Sequence, residues 1–287
     1  MRDFFFAYTI NNMNKKIAIQ GIKGSNHYQV ALNTYGDEVQ LVECDSFSNL
    51  VSKIILGHAD QGIMAIENSI AGSIIPNYNL IYDNKLHING ESYLDIHHNL
   101  MACKGSRLDD IKEVHSHPMA LLQCADFFKN YPKIRLVADV DTAATSKRIQ
   151  DKNLKHIGAL APKIAANLYD LEIIAECIET TNNNETRFFF VSKEDKKKDA
   201  SQIDKASLRF IADHKRGSLA AILNVMSDCQ LNLTKIQSLP VLNTPWKYAF
   251  FVDVTFEAYA HFKKAELLLE IMAQDFIVLG EYKNAKL

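Results

Sequence analysis

The chain has 287 residues, with 32 Lys and Arg against 34 Asp and Glu and a net charge of −2. That length holds two or three domains at about 150 residues each, and a 47% hydrophobic content supplies compact cores. A balanced charge without a Lys/Arg stripe interleaved with aromatics excludes a nucleic-acid partner, and no run nears the roughly 18 consecutive apolar residues of a membrane span.

Residues 1–14 read as an N-terminal extension. The apolar run Phe4-Phe5-Phe6-Ala7-Tyr8 is too short for a secretory signal, and Met13 directly precedes the first convincing strand. From Lys15 the pattern is strand, loop, helix, repeated. Ile17-Ala18-Ile19 predicts a strand, Gly21 to Ser25 a glycine turn, and Asn26 to Tyr35 a helix stopped by Gly36. A strand at 39–42, a helix at 47–56 opened by Ser46 and a strand at 61–66 follow. This alternation predicts βαβ units and a parallel sheet, where ligands gather at the carboxyl ends of strands. A second group runs through an apolar stretch at 88–102, strands at 111–114, 135–137 and 157–160, and helices at 119–129, 142–149 and 163–169. The chain then returns to the first lobe through 171–178. A catalytic region at 15–192 is expected, with one lobe from 15–92 and 176–192 and the other from 93–175.

The mixed-charge run Lys193 to Asp199 reads as part of a linker at 193–204. Past it, strands at 206–211, 233–237, 248–256 and 277–279 and helices at 218–229 and 262–272 give the order β-α-β-β-α-β, the ferredoxin-like plan, over 205–282. Cys44, Cys103, Cys124, Cys177 and Cys229 are odd in number and lack a C-x-x-C pair, which fits reduced thiols in a cytoplasmic protein. His97-His98 and His115/His117 lack helical i, i+4 spacing or a cysteine cluster, so no metal site is expected.

Chemistry concentrates in a few polar segments set against apolar strands. Asn184-Glu185-Thr186-Arg187 precedes the buried-type run Phe188-Phe189-Phe190-Val191 and offers an amide, a hydroxyl and a cationic fork suited to a small anion. Gly21 to Ser25 can turn backbone N–H groups toward an anion. Glu67-Asn68-Ser69 ends an apolar strand, Ser116-His117-Pro118 opens a helix carrying Gln123, and Asp141-Thr142 reads as a helix cap.

In this order and spacing, over roughly residues 15–282, these segments resemble the prephenate dehydratase family: a glycine-Ser turn, IENS, SHP…Q, DTA and N-x-T-R-F. The resemblance implies an α/β fold with a two-lobed, type 2 periplasmic-binding-protein-like catalytic region and a ferredoxin-like ACT domain. It implies a carbon–oxygen lyase that converts prephenate to phenylpyruvate, CO2 and water in phenylalanine biosynthesis. Thr186 is then the catalytic donor to the departing hydroxyl, with Glu67, Asn68, Ser69, Ser116, Gln123, Asn184, Arg187, Ser25 and Thr142 binding substrate. The reaction is redox-neutral and driven by aromatisation, so no cofactor or metal is required. The ACT-like elements, Gly217-Ser218-Leu219-Ala220, Asn232-Leu233 and Gln237-Ser238-Leu239-Pro240, imply feedback inhibition by phenylalanine in a homodimer or homotetramer. Arg216 stands where the family has proline and Leu239 where it has arginine. The lack of chorismate mutase helices before Lys15 implies a monofunctional enzyme. Arogenate dehydratase and a non-catalytic small-anion or amino-acid sensor are the alternatives.

Overall fold

A computed structural model describes residues 15–196, 198–241, 244 and 246–286; the extension at 1–14 lies outside them. The first sheet is built from β1 (Lys16–Gln20), β2 (Gln40–Cys44), β3 (Gln61–Asn68), β5 (His87–Asp95) and β11 (Glu185–Ser192) in the order β2-β1-β3-β11-β5, with the short β4 (Gly72–Ser73) hairpinned on β3. β1 runs parallel to both β2 and β3. Ile17, Ala18, Ile19, Ile63, Met64 and Ile66 are wholly enclosed, the continuous apolar signature of strands covered on both faces. Helices α1 (Asn26–Tyr35) and α2 (Phe47–Ile55) flank this sheet. Leu50 and Ile54 of α2 come within 3 Å of where a Cβ on Gly62 would sit, so the helix packs directly on strand backbone.

A second sheet takes β6 (Asn99–Cys103), β7 (Glu113–Ser116), β8 (Arg135–Ala138), β9 (Ile157–Ala161) and β10 (Leu171–Ala175) in the order β10-β6-β9-β7-β8. Its helices are α4 (Pro118–Gln123), α5 (Ala125–Lys129), α6 (Thr142–Asp151) and α7 (Lys163–Leu168), with α3 (Ile75–Asp83) lying earlier in the chain. The chain crosses between the sheets twice, through residues 96–98 and 176–184. Those two crossings are tied together by Ile96 N–H donating to Asn184 C=O at 2.7 Å and Ile178 N–H donating to His98 C=O at 2.9 Å.

The C-terminal sheet comprises β12 (Lys205–Ile211), β13 (Asn232–Pro240), β14 (Tyr248–Thr255) and β15 (Gln274–Tyr282), with α8 (Ser218–Asp228) and α9 (Tyr259–Met272), in the order β13-β14-β12-β15. All its pairings are antiparallel, which is the split βαβ arrangement the sequence predicted. Phe210, Ile222, Met226, Phe262 and Leu269 form its core.

Packing density divides the chain into two units. One runs to Ile74 and from Tyr93 to Phe188; the other takes Ile75–Ser92 and everything from Phe189 onward. The boundary between these units falls inside β5 and β11. Within the second unit, the Lys205 ammonium pairs with the Glu91 carboxylate at 2.9 Å, and the Arg209 guanidinium lies 3.6 Å from the Tyr82 ring centroid. Asn89 donates to Ser192 Oγ at 2.7 Å and accepts from Lys196 N–H at 2.9 Å, so the first residues after β11 are held in place.

Several elements differ from the sequence reading, three of them instructively. Helix α3 was missed, because IPNYNLIYD carries a proline, two asparagines and little amphipathic pattern. The predicted helix at 119–129 breaks at Cys124 into α4 and α5. Strand β13 continues three residues beyond Gln237.

Candidate active site

A cleft of about 440 Å³ opens in the first unit, lined from both of its sheets. Gln20 and Asn68 reach it from the ends of β1 and β3, Thr186 and Phe188 from the start of β11, and His117, Gln123, Val140 and Thr142 from the second sheet. The starts of α1, α2 and α6 also converge here through Ser25 and Asn26, Ser46 and Phe47, and Asp141 and Thr142. Each of these helices has a side-chain cap: Ser25 Oγ accepts from Tyr28 N–H, Ser46 Oγ from Asn49 N–H, and Asp141 Oδ1 from Ala144 N–H. The earlier N–H groups of each first turn have no intrahelical acceptor. With roughly half a positive charge at each N-terminus, three such ends present donors and positive potential to one space. Among the described residues no Lys or Arg lines the cleft.

Thr186 stands at the centre of an ordered polar chain. Asn68 Nδ2 donates to Thr186 Oγ1 at 2.9 Å and to Asn184 Oδ1 at 2.6 Å. Asn184 Nδ2 donates in turn to Gln123 Oε1 at 3.0 Å, and that same oxygen lies 2.8 Å from His98 Nε2. A carboxamide oxygen only accepts, so His98 carries its proton on Nε2 and presents a bare Nδ1. That Nδ1 is buried and has no hydrogen-bond partner among the described residues. Burial lowers the pKa of His98, outweighing the opposing Gln123 hydrogen bond and Glu179 charge, so the ring is neutral. Asn68 Oδ1 is also engaged, accepting from Ile70 N–H at 3.1 Å and Ala71 N–H at 2.8 Å. Because the Thr186 oxygen accepts from Asn68, its own hydrogen has no acceptor among the described residues and is free to donate into the cleft.

The cleft also has an apolar side. Phe47 and Phe188 line it, and His27 sits between them, 5.6 Å and 5.0 Å from their respective ring centroids. Full burial lowers the His27 pKa to about 3, and its Nε2 accepts from Ala65 N–H at 3.4 Å, so this ring is also neutral. The arrangement can hold a small anion bearing a ring and direct one hydroxyl donor at it.

A family model described as prephenate dehydratase matches residues 17–196. The chain belongs to the prephenate dehydratase family. It is 33% identical over 284 residues to an arogenate dehydratase/prephenate dehydratase of Arabidopsis thaliana, covering 95% of this chain and 74% of the relative. A prephenate dehydratase from Arthrobacter aurescens, solved in complex with L-Phe, superposes with a TM-score of 0.84 at 25% identity over 94% of this chain and 90% of that one. A structure described as a novel type of quorum-quenching acylase matches equally well, with a TM-score of 0.84 at 25% identity over 94% of this chain and 98% of its own. The architecture is thus the family's two-lobed, periplasmic-binding-protein-like region joined to an ACT domain.

Of the residues the dehydratase resemblance singled out, Thr186, Asn68, Gln123, Ser25 and Thr142 line the cleft. Five do not. Arg187 is buried on the opposite face of β11 from Thr186 and Phe188, 5.9 Å from the Tyr93 ring centroid, because successive strand residues alternate faces. The positive potential at the cleft comes instead from the helix N-termini that line it. Asn184 lies behind the cleft as the link between Asn68 and Gln123. Ser116 is fully buried and donates to Leu160 C=O at 2.8 Å, joining β7 to β9. Ser69 bridges the end of β3 to β11, donating to Asn183 C=O at 3.0 Å and accepting from Glu185 N–H at 2.9 Å. Glu67 is half-buried within the β3–β4 pairing, outside the cleft.

Sequence reasoning missed His98 and His27. His98 was weighed only as a metal ligand, although a histidine opening an apolar strand is equally a buried hydrogen-bonding group. Nothing in the local pattern marks His27, which is simply a polar residue in the first turn of α1.

A second pocket, about 590 Å³, lies in the ACT domain and is lined by Asp213, Lys215, Gly217, Ser218, Leu219, Ala220, Trp246, Tyr248 and Phe250, among others. Gly217 adopts φ +84°, a left-handed conformation that suits glycine, at the start of α8. Of the remaining expected effector residues, Asn232, Leu233, Gln237, Ser238 and Pro240 lie along β13, an edge strand of the sheet, and do not line this pocket. Leu239 is buried.

Proposed function

We propose that this protein converts prephenate to phenylpyruvate, CO2 and water, and that phenylalanine inhibits it through the ACT domain. The observation that carries the reading is the Thr186 hydroxyl, polarised by Asn68 and aimed into a cleft ringed by helix N-termini. Prephenate carries two carboxylates, for which the cleft offers the backbone donors of three helix starts. Once the ring is held, the bond to the departing carboxylate breaks and its electrons enter the ring. The ring hydroxyl leaves with a proton as water, while Thr186 hydrogen-bonds the oxygen as charge builds on it. A threonine is too weak an acid to surrender its proton, so that proton comes from solvent. Gln123, Asn184 and His98 act by fixing the amide orientation that points Asn68 at Thr186. They are positioning residues.

The L-Phe complex of the Arthrobacter aurescens relative supports phenylalanine as the ligand of the ACT pocket. Pairing of two ACT domains along the exposed β13 edge would build a homodimer or homotetramer. Among the described residues no helix is long and apolar enough to cross a membrane.

Arogenate dehydratase is the second reading, favoured by the plant relative's dual name. Measuring product formation from prephenate and arogenate side by side, with and without Thr186→Val, tests both. Turnover of prephenate with the higher kcat/KM, lost in the variant, is expected. Preference for arogenate would reverse the assignment, and tight binding without product from either substrate would make the protein a sensor.

A further inference from the structure

The two chain crossings that join the sheets of the first unit bring together three side chains that the mechanism does not use. His97 lies on the first crossing, and Cys177 and Glu179 on the second. One ligand atom from each falls within 4.8 Å of the others, with His97 Nδ1 2.8 Å from Glu179 Oε1. Glu179's side chain is only 2% exposed, whereas the His97 side chain is 48% exposed and Cys177 is exposed, so the group has a fixed base and an open, adjustable mouth. The Cys177 backbone is itself constrained: it sits at φ +50°, with its N–H donating to Asn99 Oδ1 at 3.2 Å. Glu179 Oε2 accepts from His98 N–H at 2.9 Å, which leaves Oε1 for another partner.

We propose that His97, Cys177 and Glu179 form a binding site for a thiophilic divalent cation of the Zn2+ class, and that an occupied site clamps the crossings and slows turnover. One imidazole nitrogen, one thiolate and one carboxylate oxygen are the ligand types such an ion selects, with water completing a tetrahedron. In that geometry ligand atoms stand roughly 3.3–3.6 Å apart, as follows from Zn–N, Zn–O and Zn–S bonds of about 2.0–2.3 Å. The imidazole would therefore retreat slightly from Glu179 as the ion replaces their hydrogen bond, and the Cys177 thiol would close in. Both are exposed enough to do so. Binding exchanges the thiol proton for the metal, so Cys177 loses its proton to solvent and no redox partner is involved.

The cation here is an effector and takes no part in the dehydration. Its leverage lies in position: the crossings it would join carry His98 and Asn184, which fix the amides behind Thr186. The slowing of turnover rests on the dehydratase reading, whereas metal binding does not.

The test uses the full-length, reduced protein titrated with Co2+, followed by its thiolate-to-cobalt charge-transfer absorption. One equivalent of Co2+ should produce the band, and Zn2+ should displace it. Cys177→Ser should abolish the band, and His97→Ala should weaken binding by at least about tenfold. Circular dichroism of both variants checks the fold, and since both side chains are exposed it should be unchanged. Absence of the band, or its persistence in Cys177→Ser, overturns the site. With prephenate, stoichiometric Zn2+ should lower kcat in the parent, reversibly on adding a chelator, and leave Cys177→Ser unaffected. Equal inhibition of both proteins, or none in the parent, overturns the clamp.

Discussion

Replacing Asn68 by aspartate isolates the polarity of the active-site chain from its shape. The aspartate keeps an acceptor for Ile70 and Ala71, whose N–H groups lie 3.1 Å and 2.8 Å from the present Oδ1, so the turn after β3 survives. The donor to Thr186, now at 2.9 Å, becomes a carboxylate oxygen. Thr186 will turn its hydrogen toward that carboxylate, and a hydrogen bond to a charged group is worth about 1.5–3 kcal/mol. Recovering the hydroxyl for the leaving group then costs that amount in the transition state, a fall in kcat of about 10–150-fold. The neighbours cannot absorb the change cheaply. If Asn184 and Gln123 rotated to face the new acceptor, His98 would have to move its proton from Nε2 to Nδ1, where it would be buried without an acceptor among the described residues.

The added negative charge also raises KM for a dianionic substrate, so kcat is the discriminating readout. Steady-state kinetics on Asn68→Asp, Thr186→Val and the double variant form the cycle. Thr186→Val should lower kcat by about 10²–10³-fold, the usual cost of losing one donor at a developing charge. In the valine background Asn68→Asp should cost little further kcat, because the hydroxyl it misdirects is gone. A folded Asn68→Asp enzyme within about threefold of the parent kcat, or a full additive loss in the double variant, would refute the role given to Asn68.

Stability should fall as the solution is acidified through the window between the His27 values in the unfolded and folded protein. The unfolded ring binds a proton below about pH 6.5, while the folded ring stays neutral down to about 3, so the loss reaches about 2 kcal/mol at pH 5 and is absent above pH 7. Urea melts at stepped pH should show this slope flattened in His27→Gln; an unchanged slope would mean the ring is not the source. Lys205→Met should destabilise by about 3–5 kcal/mol by removing the counter-charge of the buried Glu91 carboxylate, with Lys205→Met/Glu91→Leu recovering most of it, as read by denaturant midpoints. Gly217→Val forces an L side chain into the left-handed conformation at the mouth of the ACT pocket. Inhibition by phenylalanine, expected to be about 5–150-fold in the parent, should disappear while uninhibited turnover remains.

Much of this molecule could be read from sequence where a short-range rule governs it. The strand–helix rhythm, the caps at Ser46 and Asp141, and the split βαβ order of the last 80 or so residues all follow from periodicity and turn chemistry. Thr186 was singled out because a polar residue at an apolar strand's mouth has a cleft within reach, whereas Gln123 came from the family resemblance. What failed was orientation and distance. Thr186 and Arg187 were both assigned to the cleft, yet adjacent residues of a strand face opposite ways, and the period-two rule applied to β11 would have removed Arg187 at once. No such rule could have placed Ser116 against Leu160, or carried Asn184 into the gap between Asn68 and Gln123, since those positions depend on sheet order.

Sheet order also explains how a cleft suited to a dianion is formed with no cationic side chain among the described residues lining it. Because β1, β2 and β8 all end toward the same space, the helices that follow them, α1, α2 and α6, begin there, and the unpaired N–H groups of their first turns meet. A guanidinium at the same place would bind carboxylate strongly in both the ground and transition states, and uniform binding of that kind lowers KM without raising kcat. On the dehydratase reading, backbone donors hold the substrate's carboxylates and leave the Thr186 hydroxyl to respond to the oxygen whose charge changes. The amides behind Thr186 then matter more to rate than to affinity. This is why a single change of polarity at Asn68, which alters the size of no side chain, is the sharpest probe of the reading.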